Sequence, residues 1–299
     1  MRVTFNSQYR DAQASIDTAA QRLVEMQRQV ASGKRITKPS DDPSAAASAV
    51  SERAQIGTIA QYQRAADSVV SRLTVVDTAL SGILERLTAA QVAATSARGA
   101  TAGPAQREAA ALELEGIRAA LVDGLNTTFR GTFVFAGALS TTPPYQLSPD
   151  GSVVEPYAGS PQEVEIDIGD QRSVTVGFNG QTIAQGGAAA DLFAEIDALV
   201  VAARAGDNAA LGDGIEAMKV AFTRVTAAQS RVGIGLNAVE GEQVRLEEIR
   251  IAGGARLSRL EDANMASAIS EMNQAEMAYR AALGAIGTAS KMSLLDYLG

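Results

Sequence analysis

Apolar residues recur along most of this 299-residue chain in steps that alternate four and three. From the amino end the series runs Phe5, Tyr9, Ala12, Ile16, Ala19, Leu23, Met26 and Val30. A seven-residue repeat of this kind makes a narrow seam, suited to one partner helix rather than to a broad core. A helix with so many polar residues is marginal alone in water, so its order should depend on that partner. A second series, Ala49, Ile56, Ile59, Ala66, Val70, Leu73, Leu80, Leu84 and Leu87, predicts a helix from Ser44 to about Arg98. Gln63, Asp77 and Gln91 fall on the same seam. Such residues either fix the register of a helix pair or meet solvent at a bundle edge. Gly103-Pro104 then breaks the pattern, and Ala110, Leu114, Ile117, Leu121 and Gly124 mark a third helix.

Past Asn126 the period changes. Phe129 to Gly137, FRGTFVFAG, predicts a short strand with Phe133 and Phe135 on one face, closed by Pro143-Pro144. Val164, Ile166 and Ile168 alternate with Glu165 and Asp167, and Val174 and Val176 with Ser173 and Thr175, around a turn at Gly169-Asp170. The region is small and without a charged constellation or aromatic cluster, so a surface module is expected. Helical spacing resumes with Leu192, Ile196, Leu199 and Ala203 and stops at Gly206. Leu211, Ile215, Met218, Phe222, Val225, Val232, Leu236, Val239 and Leu246 continue it, with Gln229 and Gln243 on the seam. Glycines at 233, 235, 253 and 254, and a phase drift after Gly253, predict a kink or a close contact there. The last seam is Met265, Ile269, Met272, Tyr279, Leu283 and Ile286, before the ending MSLLDYLG.

The strongest punctuation lies in SGKRITKPSDDP, residues 32 to 43. Gly33 suits a left-handed helix terminus, and Lys34 and Arg35 follow where the helix dipole favours cations. Pro39 and Pro43 forbid a continuous helix, and Asp42 before Pro43 reads as an N-cap with proline at the first helical position. Ser40, Asp41 and Asp42 are therefore connector residues. Asp41 and Asp42 are poor candidates for a catalytic pair, because neighbours on a connector seldom approach one substrate from opposite sides.

Composition narrows the reading further. Alanine dominates an apolar fraction of 46%, aromatics are 4% and tryptophan is absent, which suits slender helices in close contact and an elongated molecule. A net charge of -8 argues against nucleic acid or an anionic membrane as partner. No stretch is apolar enough to span a bilayer, and the amino end lacks a charged-then-apolar secretory pattern. With no cysteine and no histidine, thiolate chemistry, histidine triads and zinc protease motifs are impossible. No catalytic, cofactor or metal residue is assigned.

The stretch SGKRITKPSDDPSAAA, the FVFAG segment before Pro144-Tyr145, the run EDANMASAISEMNQAEMAYRAAL and the closing SLLDYL together resemble the flagellin superfamily. The PSDDP form is similar to that of its hook–filament junction proteins. The resemblance implies a mainly α fold, an elongated bundle of long helices with coiled-coil-like terminal helices paired and a small central β module. Residues 1–40 and 260–299 would be the paired inner layer, 41–140 with 188–259 a helical bundle with a short hairpin, and 141–187 the β module. It further implies a structural, non-enzymatic adaptor without cofactor, forming a ring of its own copies between hook-associated protein 1 and flagellin. Such a protein leaves the cell by the flagellar type III route with an export chaperone and resides in the extracellular flagellum. Assembly contacts are expected from Ile16, Leu23, Val30, Ile269, Tyr279, Leu283, Ile286, Leu294, Leu295 and Leu298. The alternatives are a filament-forming flagellin and a cell-surface glycan-binding protein.

Overall fold

A computed structural model describes residues 5–149, 151, 153–186 and 191–298, with side chains from 10 to 287. The fold is mainly α. Among the described residues the elements are α1 (Phe5–Ser32), α2 (Pro43–Arg98), α3 (Pro104–Leu125), β1 (Thr128–Phe129), β2 (Thr132–Phe133), β3 (Val164–Gly169), β4 (Arg172–Gly177), α4 (Gly180–Ala184), α5 (Leu192–Ala205), α6 (Asn208–Glu261) and α7 (Met265–Leu298). No helix among them is long and apolar enough to cross a membrane. The chain forms two compact units, Met1–Thr58 with Glu248–Gly299, and Ile59–Glu247.

In the unit Ile59–Glu247 the expected seams close a core. Ala66, Leu73, Leu80 and Leu87 of α2 are buried with Leu114 and Leu121 of α3, Ile196 and Leu199 of α5, and Met218, Val225, Val232 and Val239 of α6. Three seam assignments shift by one residue, one being Ile83, buried where Leu84 was expected. Val69 is buried where Val70 was expected, and Ala221 where Phe222 is 37% exposed. The seam polar residues pair α2 with antiparallel α6. Gln63 donates to Glu247 at 3.1 Å, Gln243 to Asp67 at 2.8 Å, and Gln229 to Asp77 at 3.0 Å and Ser81 at 2.9 Å. Polar groups at such positions are satisfied in one alignment, which favours the register-fixing role over simple solvent contact.

The β elements belong to this same core, unlike the surface module expected. Val174, Val176, Phe178, Ile183 and Ala184 share the buried cluster with Leu73 and Met218. Alternation in β4 turns its valines onto the helices, and a two-stranded hairpin with an apolar face is stable only when that face is covered. Arg72 of α2 donates Nε to the Val176 carbonyl at 2.7 Å, and Arg224 of α6 donates to the Ile183 carbonyl at 2.9 Å. Glu242 of α6, fully buried, meets Arg245 at 2.5 Å and Arg172 of β4 at 3.4 Å. Two local expectations are corrected. The FRGTFVFAG strand ends at Phe133, since Arg130 and Gly131 both have positive φ and turn the chain into a tight hairpin, while Phe135 is buried beyond it. The second hairpin turns at Asp170-Gln171, with Gly169 still in β3 and Gln171 at φ 55°.

The unit Met1–Thr58 with Glu248–Gly299 pairs α1 with α7. Its α6 segment runs unbroken through Gly253 and Gly254 to Glu261, so the expected interruption resolves as a close approach: a methyl on Gly253 would lie 3.0 Å from Glu52 and 3.2 Å from Ile56. The helical break comes later, at 262–264, where the Asn264 side chain caps α7 by accepting from Ala266 and Ser267 amides.

Candidate assembly site at the helix junction

Gly33 ends α1 in the left-handed conformation at φ 69°, its amide donating to the Gln29 carbonyl at 2.9 Å. The connector then turns on Asp41, whose Oδ2 accepts from the Lys38 amide at 2.8 Å and from the Thr37 amide and hydroxyl at 3.0 and 3.1 Å. Asp42 caps α2, accepting from the Ala45 amide and the Ser44 hydroxyl, each at 3.0 Å, with Arg35 at 3.5 Å. Pro39, Ser40 and Pro43 are exposed. Both carboxylates are committed to holding the backbone.

The amide bonds from Lys38 and Thr37 hold the Asp41 carboxyl below the ordinary carboxylate range, and the Ala45 amide and Ser44 hydroxyl do the same for Asp42. A folded-state value below the unfolded one gives stabilisation that is complete above the ordinary range and lost as pH falls through the depressed folded value. The Thr37 and Lys38 amide resonances are therefore expected to keep their positions on acidification until below the ordinary Asp range, and then to move together. Movement at the ordinary value would contradict this account.

The connector also meets the α6–α7 break. Arg35 donates its amide to the Glu261 carbonyl at 2.6 Å and its guanidinium to the Leu260 carbonyl at 3.0 Å, while the Ala263 amide donates to the Gly33 carbonyl at 2.9 Å. The Glu261 carboxylate, 4% exposed, accepts from Lys34 at 3.0 Å and also pairs with Arg53 of α2. Burial pushes this carboxyl up, but the hydrogen bonds and charges of Lys34 and Arg53 outweigh it and hold the value below the ordinary range.

From this junction the terminal helices pair. Ile16, Leu23 and Val30 are half-buried and Met26 is buried on α1. On α7, Ala268 and Ala275 are buried, with Met272, Tyr279, Ala282 and Ile286 half-buried in the same four-three spacing. The seam positions expected to carry Ile269 and Leu283 thus belong to the neighbouring small residues Ala268 and Ala282, and Ala275 takes one that no expected residue filled. Met265, Ile269 and Leu283 are 41%, 43% and 46% exposed beside the seam. Leu294, Leu295 and Leu298 lie within α7, outside the described side chains. Glu261 and Arg53 were not singled out from the sequence: nothing local marks a buried carboxylate at the end of a polar helix.

Residues 3–140 match the bacterial flagellin N-terminal helical region and residues 215–298 the bacterial flagellin C-terminal helical region. With both regions in this order around a paired terminal unit, the chain belongs to the flagellin family. Within it, the chain is 23% identical over 319 residues to Flagellar hook-associated protein 3 of Escherichia coli, covering 99% of each. It is 27% identical over 184 residues to the protein of that name from Salmonella typhimurium, an alignment spanning 61% of this chain and 56% of that protein. The fold is that of the flagellar junction protein FlgL from Legionella pneumophila, with a TM-score of 0.60 at 13% identity, covering 72% of this chain and all of that one.

Proposed function

We propose that the chain is a structural adaptor of the bacterial flagellum, joining hook-associated protein 1 to the flagellin filament as a ring of its own copies. The observation that carries this reading is the near end-to-end alignment with Flagellar hook-associated protein 3, with both flagellin helical regions in place. The geometry supports it: α7 leaves Met265, Ile269 and Leu283 exposed beside its seam with α1, an apolar edge for contact with neighbouring subunits. Residues 1–40 and 260–299 supply those contacts, with Ile16, Leu23, Val30, Tyr279 and Ile286 holding the pair and Leu294, Leu295 and Leu298 as terminal anchors. The role is non-enzymatic. The polypeptide is exported through the growing flagellum by the type III route, with a chaperone beforehand.

Gold labelling of the protein along intact flagella tests the assignment. A single band between hook and filament is expected. Label along the whole filament would make the chain a flagellin, and label away from flagella would remove the assignment altogether.

A further inference from the structure

The break between α1 and α2 and the break between α6 and α7 are stitched together, although Lys34 and Glu261 stand 227 residues apart in sequence. Two backbone hydrogen bonds join them, from Arg35 to the Glu261 carbonyl and from Ala263 to the Gly33 carbonyl. The buried Glu261 carboxylate completes the stitch by holding Lys34 from the connector and Arg53 from α2. We propose that Glu261 is the latch of the terminal helix pair: its carboxylate holds the end of α1 and the start of α7 at one point, so that both helices are ordered together or not at all.

The pair itself buries little. Among its described side chains Met26, Ala268 and Ala275 are buried and the larger apolar groups only half so. Alanines add little apolar area, so the seam alone gives weak association. What makes it effective is local concentration. With the latch closed, α1 ends next to the stitch and α7 starts two residues beyond it, a tether of minimal length. With it open, the nearest remaining tie between the two segments is the contact of α2 with α6 at Glu52, Ile56, Gly253 and Arg256, a longer tether, and the cost of bringing the helices together rises with its length. The carboxylate suits this task because one group receives two cations from two different elements. A neutral amide of the same shape presents one acceptor oxygen and no negative charge, so both ion pairs are lost and one of the two cations is left without its acceptor.

Hydrogen exchange on the full-length chain carrying Glu261→Gln tests the latch. Protection over residues 10–32 and 265–287 is expected to fall together, about tenfold or more, while residues 59–247 exchange as in the parent. Arg256→Gln removes a neighbouring ion pair, to Glu52 at 2.7 Å, and is expected to leave both terminal helices unchanged. The decisive readout is rescue. Lys34 and Asp262 face each other across the antiparallel bridge, and the chain has no cysteine of its own. A disulfide between Lys34→Cys and Asp262→Cys, added to Glu261→Gln, is expected to restore protection in both helices. Loss confined to one helix, no loss in either, no protection in the parent, an equal effect from Arg256→Gln, or failure of the disulfide to restore order would each overturn the proposal.

Discussion

Gly137→Ala is expected to destabilise the unit Ile59–Glu247 by about 3 kcal/mol, among the larger effects a single methyl can have. Two independent costs combine at this position. Gly137 has φ 57°, which any L-residue other than glycine adopts at about 1–2 kcal/mol. Its missing side chain also makes room for another strand of backbone: an added Cβ would overlap the Ser160 carbonyl oxygen and come within 2.7 Å of the Gln162 carbonyl oxygen. Those carbonyls cannot swing away. The Ala138 amide donates to Gln162 at 3.0 Å, and the Tyr157 hydroxyl is shared between the Ser160 carbonyl at 3.1 Å and the Phe135 carbonyl at 3.0 Å. Gly131→Ala separates the terms, since Gly131 has φ 79° but nothing within 4 Å of its would-be Cβ. Urea denaturation should place the second variant about 1 kcal/mol below the parent. Equal losses in the two variants would show that the steric contact contributes nothing.

Excising residues 146–185 and joining the ends with a flexible linker is expected to unfold the helices of the same unit. The deletion removes Ile168, Val174, Val176, Phe178 and Ile183 from the buried cluster. At about 1.5–3 kcal/mol per large apolar side chain this amounts to roughly 10 kcal/mol, comparable with the whole stability of an ordinary domain. It also deprives Arg72 of the Val176 carbonyl and Arg224 of the Ile183 and Ala184 carbonyls, leaving two guanidinium groups to find new partners. Far-UV circular dichroism and a urea titration provide the check. A shortened chain that keeps its helix content and a cooperative transition would return the β region to the status of a dispensable surface module.

Helix boundaries were the most legible part of this sequence, because each carries its own chemistry. Gly33, Pro43, Gly103-Pro104 and the Asp191 to Gly206 segment mark ends that the backbone places within a residue or so. Tertiary choices were less legible. Periodicity weights large apolar residues, so Ile269 and Leu283 stand out in the sequence, while Ala268 and Ala275 are the buried residues of α7. The short helix Gly180–Ala184 was missed although Asn179 caps it by accepting from the Gln181 amide at 2.9 Å, because five residues give no period to detect. The pairing of Gly33 and Arg35 with Ala263 and Glu261 has no local signature. Its two halves lie in separate motifs, SGKRITKPSDDP and EDANMASAISEMNQAEMAYRAAL, and only folding brings them together.

The polar rungs between α2 and α6 also decide how this unit responds to force. Smooth alanine-rich helices can slide past one another by a heptad at modest cost, since one small apolar residue replaces another. Here a seven-residue slip would set Asp77 opposite Leu236 and Gln229 opposite Leu84, stranding a carboxylate and an amide against hydrocarbon. Gln63 and Gln243 would lose Glu247 and Asp67 in the same movement. A pull along the helix axes is therefore shared by several hydrogen bonds that must break at once, rather than one after another. The pair resists shear stiffly up to a yield point, where a purely apolar seam would creep.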